Sequence, residues 1–136
     1  MSLRLPAERL ALLDETDIVR VRQAVRSHAA KVGLKPIDQT KMMTAASELA
    51  RNTVVYGGGG SASIEHLEAG GVAGLRVTFE DQGPGIPDIE RAMRDGYTSG
   101  RGMGLGLGGA KRLVHDFVLE SAVGKGTRVI IVRWGR

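Results

Sequence analysis

The sequence from Glu80 to Leu113 reads EDQGPGIPDIERAMRDGYTSGRGMGLGLGGAKRL. An aspartate, Asp81, stands near its start and is followed by Gly83 and Gly85. Further on, five glycines fall within the eight positions 102–109. Glycine leaves the backbone amides uncovered, because no Cβ lies in the way. Uncovered amides are what a loop needs in order to hold phosphate oxygens, so this stretch predicts a nucleotide site.

Asp81 lies where a predicted strand ends and this loop begins. Residues 75–81, LRVTFED, alternate apolar and polar side chains, which is typical of a strand with one buried face. Gly83 and Gly85 allow a sharp turn and the close approach of a planar ligand. A carboxylate there can accept a hydrogen bond from an exocyclic amine such as that of adenine. Taken alone, the pattern DxGPG is equally typical of a plain turn.

The later glycine run leads into a predicted helix that begins near Leu107. The free N–H groups and the positive dipole end of that helix would face the same anion as the loop amides. A flexible lid without a ligand is the alternative interpretation. The spacing Gly104-x-Gly106-x-x-Gly109 also satisfies the dinucleotide fingerprint, but that fingerprint must follow a buried strand. The residues before it, DGYTSGR, are polar, so we reject this interpretation.

A third pattern lies on a helix predicted earlier in the chain. Glu48 and Asn52 are four residues apart, so they share one helix face beside an apolar stripe. An amide oxygen suits Mg²⁺ that also binds phosphates, and a carboxylate can deprotonate a hydroxyl group. Taken alone, the two residues are more typical of a solvent-exposed helix pair than of a site. The stripe consists of Met42, Ala45, Ala46, Leu49, Thr53 and Tyr56.

Length and composition favour a single domain, residues 1–136. The 136 residues are 42% hydrophobic and can bury a core without covalent crosslinks. No apolar run approaches the roughly 20 residues of a membrane span, and the first residues lack a secretory pattern. The absence of cysteine excludes disulfides and fits the cytoplasm. The net charge of +4 comes from scattered basic residues, which argues against a nucleic-acid surface.

The rest of the chain predicts a two-layer α/β sandwich with a mixed, mostly antiparallel sheet and its helices on one face. One helix is expected over residues 16–33, capped by Thr16 or Asp17, and another from Pro36, capped by Asp38. The segments EAGG and GKG supply hairpin turns. The predicted strands are residues 9–14, 62–67, 75–81, 117–122 and 127–134, and a third helix is indicated by Ala110, Leu113, Val114 and Phe117.

Together the three patterns resemble the ATP-binding fold shared by gyrase, histidine kinases and MutL, known as the Bergerat or GHKL fold. Four of its motifs occur in the expected order, which is far more specific than any one of them. They are Glu48…Asn52 for the asparagine box, DQGPG at 81–85 and GMGLG at 102–106 for the two glycine boxes, and Gly126-Thr127 for the late Gly-Thr.

The chain is further similar to the RsbT-type serine kinases, the switch kinases of bacterial partner-switching modules. The similar segments are SELARN, DQGPGIPDI and GLGLGGAKRLVHDF, and the resemblance extends from about residue 17 to the end. A phosphoacceptor helix of the two-component kind is missing. We therefore expect His28, His66 and His115 to be ordinary surface residues.

The resemblance implies roles at both ends of the nucleotide. Asp81 would bind the adenine amine, Gly83 and Gly85 would shape the adenine pocket, and Thr127 would support the same end. The phosphate end would be held by the remaining matched residues. These are Asn52 as the Mg²⁺ ligand, Glu48 as the catalytic base, and Gly102, Gly104 and Gly106 in a lid that also contains Thr98, Ser99 and Arg101.

The resemblance also implies a function. A serine/threonine protein kinase of this type uses ATP and Mg²⁺ to phosphorylate a STAS-domain antagonist protein, and the released kinase activates a PP2C-type phosphatase. A large scaffold complex is a further partner in the family, whereas a nucleic acid or a membrane is not expected. Two alternatives stay open: an anti-sigma factor of the RsbW or SpoIIAB type, and an α/β domain whose glycines serve only turns.

Overall fold

The computed structural model describes residues 7–94 and 106–135 as five strands and four helices. The strands are β1 Glu8–Leu12, β2 Gly60–Ala69, β3 Val72–Asp81, β4 Asp116–Ser121 and β5 Thr127–Trp134; the helices are α1 Glu15–Lys31, α2 Pro36–Val55, α3 Ile89–Ala92 and α4 Gly106–Arg112. The strands form one sheet in the order β1-β2-β3-β5-β4, and every neighbouring pair is antiparallel. The predicted α/β sandwich is thus confirmed. None of the described helices is both long and apolar enough to span a membrane.

The alternation along β3 determines which face of the sheet is buried. Leu75, Val77 and Phe79 are at most 1% exposed and pack under α1 and α2. Burial of each such side chain stabilises the fold by roughly 1.5–3 kcal/mol. Asp81 is the next residue on the same face of the strand. The strand therefore delivers this carboxylate to the rim of the core, on the side that the helices cover.

The N-cap of α1 lies two to three residues before the predicted caps. Asp14 is the N-cap, and its carboxylate accepts a hydrogen bond from the N–H of Asp17 at 3.1 Å. Asp17 reaches back and accepts from the N–H of Leu13 at 2.9 Å. This arrangement is a variant of the capping box, in which the third helical residue bonds to the N–H of the cap itself. Here it bonds to the N–H one residue earlier. The expectation of Thr16 or Asp17 as the cap was therefore wrong.

The ends of α2 also differ from expectation. Lys35 is the N-cap and makes no side-chain capping bond, while Pro36 begins the helix. Asp38 does not cap, because its carboxylate accepts a hydrogen bond from Arg133 instead. The predicted apolar stripe is buried as far as Thr53. Tyr56 was wrongly included, since it is the C-cap and is 39% exposed.

The third predicted helix is shorter than its periodicity suggested. α4 ends at Arg112, and Phe117 belongs to β4, where it alternates with Leu119 as a partly buried strand residue. The residues from 110 to 119 satisfy both a helical and a strand period, so spacing alone could not separate them. α3, a single turn capped by Asp88, was not predicted.

The histidine at position 28 contradicts the expectation of a surface residue. His28 lies on the buried side of α1 and is only 7% exposed. Its Nδ1 is hydrogen-bonded to Nε2 of His66 at 2.8 Å, and its Nε2 to Oε1 of Glu8 at 2.9 Å. A polar side chain can be buried when its polar atoms find such partners. The cluster joins α1 to β1 and β2.

Candidate nucleotide-binding and active site

Asp81 is held firmly at the end of β3. Its backbone pairs with Gly60 on one side and with Thr127 on the other, so the neighbouring strands fix its position. Its Oδ1 accepts a hydrogen bond from the N–H of Gly83 at 2.9 Å, which starts the turn of the first glycine box. The residue is 8% exposed. The carboxylate is thus nearly buried, yet only partly satisfied by backbone donors.

The electrostatic state of Asp81 follows from this position. Burial raises the pKa of the Asp81 carboxyl above its ordinary value, because the charged form loses water. Hydrogen bonds from the backbone of Gly83 and of Thr127 act in the opposite direction and are the smaller causes. An added hydrogen-bond donor stabilises a carboxylate that has little contact with solvent more than it stabilises an exposed carboxylate. An amine on a planar ligand is a donor of that kind.

Gly57 connects Asp81 to α2. A Cβ at position 57 would collide with Cγ of Asp81, so only glycine fits there. The N–H of Gly57 donates to the backbone carbonyl of Asn52 at 3.0 Å. Gly83 closes the other side, since a Cβ on it would come within 2.6 Å of the carbonyl oxygen of Gly57. Gly57 follows Asn52 of the asparagine box by five residues, and this place in the chain was the signal that sequence reasoning left unused.

The loop of the first glycine box is fastened to the turn between β4 and β5. Gly85 has a φ of 80°, and a Cβ there would collide with the carbonyl oxygen of Ala122. Oγ of Ser121 accepts a hydrogen bond from the N–H of Ile86 at 2.8 Å, and it lies 2.8 Å from Oγ1 of Thr127. Thr127 therefore supports the loop of the first glycine box through Ser121. Sequence reasoning missed Ser121, because a single serine in a strand carries no signal.

Glu48 and Asn52 follow one another along the partly buried side of α2. Asn52 lies in the last turn, where its backbone carbonyl meets Gly57 beside Asp81. Glu48 lies four residues earlier, which places it about 6 Å further along the helix axis. Moving away from Asp81, the order is therefore Asn52 and then Glu48. This order matches a nucleotide lying along α2 with its base at the carboxylate and its phosphates towards Glu48.

The second glycine box is described only at its last residue. Gly106 is buried, has a φ of 73° and begins α4, which packs against α2. The other residues predicted in this region lie outside the described part of the chain. They are Gly102 and Gly104, together with Thr98, Ser99 and Arg101 of the predicted lid.

The donor set of the site suits magnesium carried by a nucleotide. Mg²⁺ prefers oxygen ligands, keeps several waters and is usually held by one or two protein groups plus substrate phosphates. Asn52 offers one amide oxygen on α2. Over residues 7–94 and 106–135, no group of three or more His, Cys, Asp or Glu side chains is arranged to hold a metal ion. Asn52 is therefore a described residue that could serve as the protein ligand to a Mg²⁺ shared with phosphates.

Comparison with protein families gives the class of the molecule. Residues 37–134 match the family described as histidine kinase-, DNA gyrase B-, and HSP90-like ATPase. The match contains both ends of the site, from Glu48 and Asn52 on α2 to Asp81 and Thr127 on the sheet. The chain belongs to this ATPase family.

Two relatives indicate which kind of protein within this ATPase family the chain is. The chain is 45% identical to the serine/threonine-protein kinase RsbT of Bacillus subtilis (strain 168) over 125 residues, which cover 92% of this chain and 94% of that protein. It is 30% identical to an anti-sigma F factor of Geobacillus stearothermophilus over 117 residues, 81% of this chain and 79% of the relative. Within the ATPase family the chain is of the RsbT type, a serine/threonine protein kinase, as the sequence predicted.

Solved structures agree on the fold. The chain resembles a structure of the RsbU and RsbW domains of Rv1364c from Mycobacterium tuberculosis with a TM-score of 0.62 and 23% identity, covering 96% of this chain and 34% of that one. It also resembles the mycobacterial sensor histidine kinase MprB, with a TM-score of 0.54 and 24% identity over 95% of this chain and 97% of that one. At this level of identity the likeness supports the Bergerat architecture alone.

Proposed function

We propose that the chain transfers the γ-phosphate of ATP to a serine of a STAS-domain antagonist protein, and that the released kinase then activates a PP2C-type phosphatase. The observation that carries this proposal is the order of Asp81 at the end of β3, then Asn52 and then Glu48 along α2. This order suits a base, a metal-bound phosphate and an acceptor hydroxyl in turn. A large scaffold complex is a further proposed partner. We retain the cytoplasm as the proposed location, since the reaction consumes ATP.

Each residue then has a chemical task. Asp81 accepts a hydrogen bond from the adenine amine, and Thr127, Gly83 and Gly85 shape the pocket around the base. Asn52 supplies the protein ligand to Mg²⁺, which neutralises phosphate charge when bound. The serine oxygen attacks the γ-phosphorus, and Glu48 accepts the proton of the serine hydroxyl. The bond between the γ-phosphorus and the bridging oxygen breaks, and this oxygen leaves with ADP.

The partner protein completes the site in this proposal. The domain is too small to enclose a second substrate, so the docked antagonist has to bring its hydroxyl to the phosphate and exclude water. The transferred phosphate adds close to two negative charges. It would then lie beside the Glu48 carboxylate and the remaining phosphates of ADP. Repulsion between like charges favours release of the phosphorylated antagonist, which frees the kinase for its next partner.

The direct test uses the purified chain, Mg-ATP and its STAS-domain antagonist. We expect phosphoserine on the antagonist by mass spectrometry, and its loss with Glu48→Gln. A reaction that leaves the antagonist unmodified, although the wild-type chain binds ATP by calorimetry, would overturn the proposed substrate.

Anti-sigma activity is the second candidate, and the 30% identity to an anti-sigma F factor is the observation that favours it. Under this candidate the chain would hold a sigma factor and suppress its transcription. A pull-down with the chain as bait separates the two: retention of a sigma factor, with inhibited transcription in vitro, supports the anti-sigma role.

A further inference from the structure

Arg133 joins three parts of the fold through one buried guanidinium group. It lies in β5 on the side that faces the helices, two residues after the buried Ile131, and its side chain is 12% exposed. Its Nη2 donates to Oδ1 of Asp38 at 2.8 Å. Its Nη1 donates to the backbone carbonyl of Leu113, also at 2.8 Å.

One partner of Arg133 lies within α2, and the other lies directly after α4. Asp38 lies in the first turn of α2, the helix that carries Glu48 and Asn52. Leu113 follows the last residue of α4, the helix that begins at Gly106. A positive charge is favourable beside the carboxyl end of a helix, and a negative charge is favourable in a first turn. The two hydrogen bonds of Arg133 thus connect the beginning of α2 to the end of α4.

The rest of the α4 interface is poorly suited to fix the position of this helix. Packing between apolar groups is not directional, and small side chains form only low ridges for a neighbouring helix. The guanidinium fork is directional, because its donors have a fixed planar geometry. The buried residues of α4 are Gly106, Leu107, Gly108 and Ala110.

We infer that Arg133 is a positioning residue for phosphoryl transfer. It sets where α4 lies relative to α2, and thereby where Gly106 lies relative to Glu48 and Asn52. Arg133 touches neither nucleotide nor antagonist and acts only through the two helices. The inference rests on the proposed nucleotide site, and it adds a residue that none of the four sequence motifs contains.

The test compares Arg133→Lys with a matched control. Lysine keeps the charge but cannot hold Asp38 and the Leu113 carbonyl in one planar fork. Arg76→Lys is the control, because Arg76 makes a two-pronged ion pair with Glu65 at 2.8 and 3.1 Å on the helix-free face of the sheet. Asp38→Asn removes the charge and keeps an acceptor oxygen, so it tests the same tie without changing Arg133.

We expect kcat for phosphorylation of the antagonist to fall about 10- to 100-fold in Arg133→Lys, since small misplacements of reacting groups cost that much. ADP affinity should change less than twofold, because its base is held at Asp81. Asp38→Asn should lower kcat in the same direction, and Arg76→Lys should leave it unchanged. All assays are run well below the melting temperature of each variant.

A purely structural role gives a different result. Arg133→Lys and Asp38→Asn would then lower the melting temperature, with kcat within twofold of wild type, and the inference would be wrong. A parallel loss of ADP affinity would also overturn it, since that indicates general loosening. If the wild-type chain binds ATP but phosphorylates no antagonist, the proposed substrate is wrong. The inference is then tested by binding alone. Arg133→Lys should weaken the affinity for a non-hydrolysable ATP analogue more than the affinity for ADP, and an equal change in both affinities would overturn the inference.

Discussion

Gly57 lies against the carboxylate of Asp81, with no room for a side chain between them. The N–H of Gly57 also bonds to the last turn of α2 through the carbonyl of Asn52. One glycine therefore sets the spacing between the carboxylate proposed for adenine and the amide proposed for Mg²⁺. Because both partners are themselves fixed, by the sheet and by a 20-residue helix, the contact has little freedom to adjust.

The substitution Gly57→Ala tests this contact. The new Cβ would collide with Cγ of Asp81, so either the carboxylate or the end of α2 has to move. We expect ATP affinity to fall at least 10-fold, and the free energy of unfolding to fall by about 1–3 kcal/mol, as for other overpacked sites. Calorimetry with a non-hydrolysable ATP analogue and urea unfolding measure the two effects.

Gly58→Ala is the matched control for this prediction. Gly58 has a φ of 77°, and a Cβ there meets no atom within 4 Å. Alanine should cost about 1–2 kcal/mol through backbone strain, without touching Asp81. ATP affinity is expected to stay at the wild-type level. An equal loss of affinity in both variants would show that strain, and not the collision with Asp81, is responsible.

The features that the sequence predicted well depend on local patterns. Asp81 could be placed at a strand end because the alternation from Leu75 to Phe79 continues into it. The pairing of β2 with β3 followed from the turn between them. The wrong assignment of Tyr56 has an equally local reason. Helical spacing continues past Val55, where the helix ends, so Tyr56 looked like one more member of the buried stripe.

The features that were missed depend on contacts between distant residues. Asp38 looked like a helix cap, yet it pairs with Arg133, 95 positions away. His28 looked exposed because nothing near it in sequence predicts partners in β1 and β2. Ser121 becomes informative only once β4 and the first glycine box lie side by side. Periodicity carries no information about such pairings, so only coordinates could reveal them.

The substitution Asp81→Asn should separate stability from function. Burial raises the folded-state pKa of this carboxyl, so its stabilising contribution is present below the unfolded pKa and is lost as pH rises through the folded pKa. At pH 7 the charged carboxylate therefore weakens the nucleotide-free fold relative to a neutral amide. We expect a higher melting temperature for Asp81→Asn at pH 7, with the gap closing towards pH 4, and strongly reduced ATP affinity.

Asp88→Asn provides the comparison for that variant. Asp88 is exposed and caps α3 by accepting a hydrogen bond from the N–H of Arg91 at 3.0 Å. Asparagine caps helices about as well as aspartate. This variant should show neither the pH-dependent stabilisation nor the loss of ATP affinity. A melting temperature that rises equally in both variants would contradict the role of burial at Asp81.

Substitutions of Glu48 and of Asn52 should affect different quantities, kcat in the first case and the Mg²⁺ dependence of ATP affinity in the second. Glu48→Gln removes the proposed base, so kcat should fall about 10²- to 10⁴-fold while ATP still binds. Asn52→Ala removes the proposed metal ligand, so ATP affinity should lose its dependence on Mg²⁺. Arg51→Ala, on the exposed side of the same helix, should change neither quantity. Unaltered kcat in Glu48→Gln, measured by phosphoserine formation, would remove Glu48 from the mechanism.

The cluster around His28 should matter for stability and not for catalysis. Replacing His28 with leucine removes the hydrogen bonds of its buried ring to the half-buried His66 and to the exposed Glu8. Loss of partners for buried polar groups costs about 1–3 kcal/mol, so urea unfolding should show a decrease of that size, with kcat unchanged well below the melting temperature. His115 is exposed, and its Nδ1 accepts a hydrogen bond from the N–H of Trp134 at 2.8 Å, so His115→Leu should cost about 0.5 kcal/mol. Equal losses in the two variants would contradict the argument from burial.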